Sequence, residues 1–184
     1  DMTTTITIPT LETDRLILRA PQISDFQTFE AFLADKRSES LGAGNLDRSE
    51  SWNVFSRFAG MWFLHGYGVF IVEDKITGKP LGSIGPWHPI TWPEKEIGWS
   101  IWTAQAEGTG IAYEAASAAI DYAFNTLGWK TAVSYIDESN ARSIALAERL
   151  GATIDPDADY PGKGTEEDDE PCFVYRHANP NGAL

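Results

Sequence analysis

The sequence predicts one α+β domain of mixed type, with antiparallel hairpin strands first and a strand–turn–helix–strand unit after them. Three observations carry this. The chain has 184 residues, enough for one full hydrophobic core and too few for two ordinary domains, so residues 1–184 are expected to form a single unit. Two apolar runs, residues 68–73 (Gly-Val-Phe-Ile-Val-Glu) and 81–85, flank a short segment containing Thr77-Gly78, the pattern of a hairpin. From residue 96 onward the pattern changes: a strand leads into a glycine-containing turn, then a long helical repeat, then another strand.

Taken in order, Leu16-Ile17-Leu18 between Arg15 and Arg19 reads as a first strand. Ser24 and Asp25 can cap a helix running to about Asp35, with Phe26, Phe29, Phe32 and Leu33 on one face. A second helix over residues 48–64 places Trp52, Phe55, Phe58, Ala59 and Trp62 at helical spacing. The hairpin follows, then a proline-rich loop over 86–93 and a fourth strand over 96–102. Residues 105–112 turn into a helix whose face carries Ala112, Ala116, Ala119, Ile120, Ala123 and Leu127. The alanines keep that face thin enough to lie close to a sheet. Residues 131–136 read as a fifth strand, 140–150 as a helix stopped by Gly151, and 172–176 as a late strand. The seven tryptophans are scattered and read as packing residues.

Composition narrows the function classes. Fourteen basic against 27 acidic residues give a formal charge of -13, which repels phosphate backbones and argues against nucleic acid as a partner. The same charge would attract a cationic acceptor, although acidity also serves solubility alone. No run of ~18 apolar residues is present, so no membrane-spanning helix is expected. The first ten residues lack the pattern of a signal peptide. Cys172 is the only cysteine, which excludes an internal disulfide and fits a reducing cytoplasm. Oligomeric state is not legible, and a homodimer is left open.

The sharpest local feature is Gln105-Ala106-Glu107-Gly108-Thr109-Gly110-Ile111-Ala112. Glycines let backbone approach a ligand closely, and a helix start offers unpaired N–H groups at a positive dipole end. Together they suit a pyrophosphate, although a plain tight turn would read the same way. Downstream, Asn140-Ala-Arg-Ser143 opens the helix that runs through Leu146 and Leu150 to Gly151. Taken singly, Asn140 can be a helix cap and Ser143 a first-turn polar residue. Their joint order after the fifth strand is more specific.

In this order and spacing the chain resembles the GNAT superfamily of N-acetyltransferases, from about Leu11 to Arg176. Gln105 to Gly110 resembles that family's pyrophosphate loop, Glu96-Ile97-Gly98-Trp99 the strand before it, and Asn140-x-x-Ser143 with Leu146, Leu150 and Gly151 the later helix. The opening Leu11-Glu-Thr13-Asp-Arg15-Leu16-Ile-Leu18-Arg19 looks like the ribosomal-protein N-terminal acetyltransferase branch. The resemblance implies a three-layer fold. Its mostly antiparallel sheet of about seven strands, flanked by helices, would splay between the fourth and fifth. It also implies acetyl-CoA as acyl donor, with no metal, and direct attack by an amine on the thioester without an acyl-enzyme. A backbone N–H near Trp99, Ser100 and Ile101 would polarise the thioester. Gln105, Gly108, Thr109, Gly110, Ile111 and Ala112 would hold the pyrophosphate, and Asn140 and Ser143 the pantetheine arm.

Two departures stand out. Glu107 and Thr109 occupy loop positions where many relatives carry a basic residue, and Ala147 stands where many carry a thiolate-protonating Tyr. Ser143 is then left to protonate the thiolate. Glu96, at the head of the strand bordering the cleft, is the candidate base for the ammonium, unless it is simply a solvated strand-end carboxylate. His88, with an ordinary pKa near ~6.5, is the reserve. In relatives the connection before the last strand borders the acceptor side, and here it is acidic: Asp155, Asp157 and Asp159, then Glu166 to Glu170. Those first aspartates with Glu166 have calcium-loop spacing, but Tyr160 stands where such a loop needs glycine, and Pro156 and Pro161 interrupt it. Asp137 after a glycine turn also mimics a dinucleotide-binding oxidoreductase, and a non-catalytic CoA-binding module is the other alternative. On the glycine-loop reading, Gly108→Asp or Gly110→Asp adds bulk and a like charge at the phosphates. Either should weaken CoA binding severely by calorimetry in a folded variant, and unchanged affinity would reject this loop.

Overall fold

A computed structural model describes residues 2–41, 44–166, 168 and 172–182. Its elements, in order, are β1 (Leu11–Glu12), β2 (Leu16–Arg19), α1 (Phe26–Leu33), α2 (Arg48–His65), β3 (Phe70–Asp74), β4 (Pro80–Trp87), β5 (Glu96–Ile101), α3 (Ile111–Asp121), β6 (Val133–Asp137), α4 (Ala141–Arg149), β7 (Thr153–Ile154) and β8 (Cys172–Arg176). Among the described residues no helix is long and apolar enough to cross a membrane.

Local chemistry accounts for the boundaries. Asp47 accepts from the Glu50 N–H at 2.8 Å while the Glu50 carboxylate accepts from the Asp47 N–H at 2.8 Å, a capping box that starts α2. Gly66, at φ 74°, ends it in the left-handed conformation that glycine adopts freely. Asp25 does not cap α1 as the sequence suggested. Its buried carboxylate takes two bonds from the Arg19 guanidinium, at 2.8 and 2.9 Å, and one from the Gln22 N–H at 2.8 Å. The carboxylate thus serves the buried Arg19 and the short helical turn that starts at Gln22, one turn ahead of α1.

The layers follow from β3, which is buried on both faces. Phe70 and Val72 pack with Leu16, Leu18, Ile84 and the Ala115, Ala116 and Ala119 face of α3. Val69 and Ile71 turn to the aromatic cluster of Phe26, Phe29, Phe32, Phe55, Phe58 and Trp102, built by α1, α2 and the end of β5. This is the period of two along a strand, and it sets helices on both sides of the sheet. Past Asp121 the chain makes a π turn, with the Leu127 N–H bonded to the Tyr122 carbonyl at 3.0 Å, and three successive residues, Tyr122, Ala123 and Phe124, are buried there.

The sheet order is β1-β2-β3-β4-β5-β6-β8-β7. Six of its eight strands are those read from the sequence, while β1 and β7 are two-residue edge strands, too short to leave a periodic signal. All described neighbours are antiparallel except β5 and β6, which are parallel and share one register pair, Glu96 with Val133. The sheet therefore opens between the fourth and fifth strands read from the sequence. A continued parallel ladder would next bond the Tyr135 N–H to the Ile97 carbonyl. Instead the Tyr135 N–H donates to the Glu96 carboxylate at 2.9 Å, and the Ile97 carbonyl accepts from the Ser134 hydroxyl at 2.6 Å. That hydroxyl has one proton, already committed, so its 2.7 Å contact with His177 Nε2 is a bond donated by the histidine. Burial pushes His177 down to about 4, which keeps it neutral. Ser134→Ala would strand both the Ile97 carbonyl and the His177 N–H in a dry interior. It should lower unfolding stability in urea by about 2 kcal/mol or more. A loss under about 0.5 kcal/mol would mean that this bridge does not hold the opening.

Candidate active site

The opening exposes one edge of β5. The Trp102 N–H donates to the Leu81 carbonyl at 2.7 Å, on the β4 side. Backbone groups alternate along a strand, so Ser100 also faces β4, while Trp99 and Ile101 turn their N–H and C=O toward the gap. No strand among the described residues meets them there.

Two cavities, each of about 600 Å³, flank this edge. The first runs from Trp99, Ser100 and Ile101 to Gly108, Gly110 and Ala112 at the start of α3, and to Asn140, Arg142, Ser143, Leu146 and Arg149 on α4. Gly108 and Gly110 have φ of 72° and 82°, which bulkier residues rarely adopt. The turn so formed presents the first-turn N–H groups of α3 to the cavity. Glu107 also lines it, but its carboxylate is bonded to Arg142 at 2.8 Å and to Arg37 at 3.4 Å. The Arg142 bond leads in holding it below the usual carboxylate range. Arg149 lies over the Tyr113 ring at 4.2 Å. Arg37 is also paired with Asp35 at 3.3 Å, so two carboxylates among three guanidiniums leave the wall cationic, an environment that fits a ligand bearing phosphates.

The second cavity is walled by Phe29, Leu33, Val54, Phe58, Trp87 and Trp92, with Arg57 and Glu96 among its polar groups. Glu96 is buried, accepting from the Trp92 indole at 2.9 Å and from the Tyr135 N–H at 2.9 Å. Burial, opposed by those two bonds, pushes its pKa up to about 7. The cavities share Ser40, Leu41, Trp99, Ser100, Asn140 and Ser143. Four of these, Trp99, Ser100, Asn140 and Ser143, lie at β5 and the start of α4. There the Trp99 indole donates to Ser143 Oγ at 3.2 Å, and Asn140 Oδ1 caps α4 by accepting from the Ser143 N–H at 3.2 Å.

Residues 15–153 match the profile of the family described as "Acetyltransferase (GNAT) domain". The chain belongs to the GNAT family. A crystal structure of an acetyltransferase from Agrobacterium tumefaciens is 39% identical, with a TM-score of 0.83 over 97% of this chain and 99% of that one. YkkB of Bacillus subtilis is 33% identical over 151 residues, covering 77% of this chain and 83% of that protein. The ribosomal alpha-N-protein acetyltransferase RimL, solved in complex with coenzyme A, is 15% identical and shares the fold, with a TM-score of 0.69 over 92% of this chain and 97% of that one. Membership of the GNAT family supports acetyl transfer from acetyl-CoA to an amine. The antiparallel strands before β5 also exclude the doubly wound sheet of a dinucleotide-binding oxidoreductase.

Within this GNAT fold the predicted residues separate into groups. Trp99, Ser100, Ile101, Gly108, Gly110, Ala112, Asn140 and Ser143 line the first cavity. Gln105 is exposed, and Thr109 turns inward on the loop, donating to the Ala106 carbonyl at 2.6 Å. Ile111 is buried in the core beneath α3. Glu96 lies in the second cavity and is not a solvated strand end. His88 lines neither cavity: its Nδ1 is 3.2 Å from the Tyr67 hydroxyl and its ring stacks near His65. None of the described residues from Asp155 to Asp168 lines either cavity, and Glu167, Asp169 and Glu170 lie outside the described residues. Asp155 instead pairs with Arg176 at 2.8 Å. Arg37, Arg57, Arg142 and Arg149 carried no sequence signal, being scattered basic residues with no motif around them.

Between pH 4.5 and 7 the folded protein holds a proton on Glu96 that the unfolded chain has released, so this group stabilises less as pH rises through that window. Glu96→Gln is neutral throughout. Its stability relative to the parent should therefore improve from pH 4.5 to 7 and level off above, as read by denaturant unfolding. A difference independent of pH would mean an ordinary carboxylate.

Proposed function

We propose that the protein is an N-acetyltransferase that brings acetyl-CoA and an amine together in one ternary complex, with direct attack and no acyl-enzyme. The observation that carries this reading is the meeting of the two cavities at Trp99, Ser100, Asn140 and Ser143. Donor in one and acceptor in the other would face each other across the exposed edge of β5.

Acetyl-CoA supplies an activated acyl thioester. The backbone N–H groups of Trp99 and Ile101 would hold its carbonyl oxygen, the charge-stabilising role of an oxyanion hole. Gly108, Gly110, Ile111 and Ala112 would cradle the pyrophosphate through backbone N–H groups, with Gln105 and Thr109 shaping that turn. Arg37 and Arg142 would cancel the repulsion of Glu107. Asn140 spends its carbonyl on the α4 cap, leaving its amide N–H groups for the pantetheine arm. Glu96 would take the proton of the incoming ammonium, since a base with pKa about 7 is half-charged at neutral pH and still able to accept. Ser143 oxygen is already accepting from Trp99, so its own proton is free to pass to the departing sulfur. The protein's net charge of -13 draws the ammonium form of an acceptor towards it.

Free-thiol release from acetyl-CoA with a panel of amines tests the reading. A binding module without catalysis would release none with any amine. Glu96→Gln should lose the acidic limb of the pH–rate profile, near pH 7 in the parent. An unshifted limb transfers the role to His88 or to solvent. Ser143→Ala should lower kcat by about tenfold or more with little change in KM, and a drop within about twofold would make a bound water the proton donor.

A further inference from the structure

Resting on that acetyltransferase reading, we infer that the acceptor is a small amine with an apolar, aromatic-sized body and an anionic group at its far end, recognised by Arg57. The second cavity argues for the body. Its walls are Phe29, Leu33, Val54, Phe58, Trp87 and Trp92, and its volume of about 600 Å³ is that of a small-molecule site. A polyamine or a chain of lysines would lose hydration against these rings, with Glu96 and Asp137 the two carboxylates among the described lining residues to meet it.

Arg57 argues for the anion. It is the one basic side chain among the described residues lining this cavity. Its guanidinium lies over the Trp87 ring at 5.2 Å, and no ion pair among the described residues engages it. The other arginines around the site do have carboxylate partners or sit at the first cavity, as Arg37 and Arg142 do on Glu107. A stacked, unpaired guanidinium at the wall of an apolar cavity is poised to take a carboxylate in fork geometry.

The register fixes how the two ends lie. Trp87 is paired directly with Glu96 across β4 and β5, and directly paired residues project to the same face. The Trp87 ring therefore has the candidate base beside it and Arg57 stacked on it. Glu96 and Arg57 are thus both neighbours of Trp87, and an acceptor with its amine at Glu96 and its anion at Arg57 carries the two groups at separate ends of an apolar body, as an aryl or long-chain amino acid does.

Three isosteres separate the alternatives: para-(aminomethyl)benzoate, benzylamine, and para-xylylenediamine, which present an anion, nothing and a cation at the far end. With acetyl-CoA and thiol-release detection, kcat/KM should rank benzoate above benzylamine by about tenfold, with the diamine lowest. In Arg57→Ala the benzoate-to-benzylamine ratio should fall to about one, and Arg57→Glu should reverse the order of benzoate and diamine. Calorimetric binding of acetyl-CoA reports that each variant is folded. Equal rates for the three amines, preference for the diamine, or a ratio untouched in both variants overturns the inference. If none of the three is acetylated while a polyamine or a peptide N-terminus is, the inference fails and the acetyltransferase reading stands. If no amine of any kind releases thiol, both fail.

Discussion

Everything at the site depends on one interruption: β5 and β6 begin as a parallel pair and part after a single register pair. Buried backbone groups at such a parting must still find partners. Glu96 takes the Tyr135 N–H, and Ser134, itself bonded by His177, takes the Ile97 carbonyl. These side chains replace the next ladder bond and hold the strands apart. Because the two strands are parallel, the segments that leave them emerge at the same end of the sheet. The helices that follow, α3 and α4, thus both start there, and both contribute first-turn residues to one cavity. The positive ends of two helix dipoles converge on it.

The charge arrangement is local and runs against the bulk composition. In a chain of net charge -13, Arg37 from the segment after α1 gathers on one cavity with Arg142 and Arg149 of α4. Glu107, which looks repulsive to phosphate in the sequence, serves there as the link between Arg37 and Arg142. Conversely, Asp155 and Asp168 of the acidic stretch before β8 serve other contacts. Asp155 shares Arg176 with Glu94, and Asp168 accepts from the Tyr160 hydroxyl and the Gly164 N–H. Net charge describes the far field. A site is governed by groups within a few ångströms, where screening and solvent act least.

What was legible in the sequence was whatever is encoded by neighbours along the chain. The glycine turn before α3, the Asn140 and Ser143 pair at the start of α4 and the hairpin are local patterns that lie where they were read. The alanine face was read through Ala123 and Leu127, whereas α3 ends at Asp121 and its buried alanines are Ala115, Ala116 and Ala119. What was hidden depends on contacts between distant residues. Glu96 looks like any strand-end carboxylate until Trp92, from a stretch read as a proline-rich loop, and Tyr135, from the next strand, enclose it. Asp25, though only six residues from its partner, looks like a helix cap until the burial of the Arg19 guanidinium beside it is seen. Arg57 is one turn among many on α2, and only the pairing of β4 with β5 makes its neighbour Trp87 part of a site.

The aromatic layer between α1, α2 and the sheet has a consequence for how this protein can change. Phe29, Leu33, Phe58 and Val69 belong both to the buried cluster on that face and to the wall of the second cavity. Reshaping the wall to suit a new compound therefore disturbs the packing that keeps the two helices on the sheet, where deletion of a large side chain typically costs several kcal/mol, about 3–5 for phenylalanine. Evolutionary drift in acceptor range is thereby channelled toward the rim, where the exposed Arg57 and Leu41 can vary with little loss of fold. Descendants of this scaffold should differ first in the far-end chemistry of their substrates and only later in the size of the body they accept.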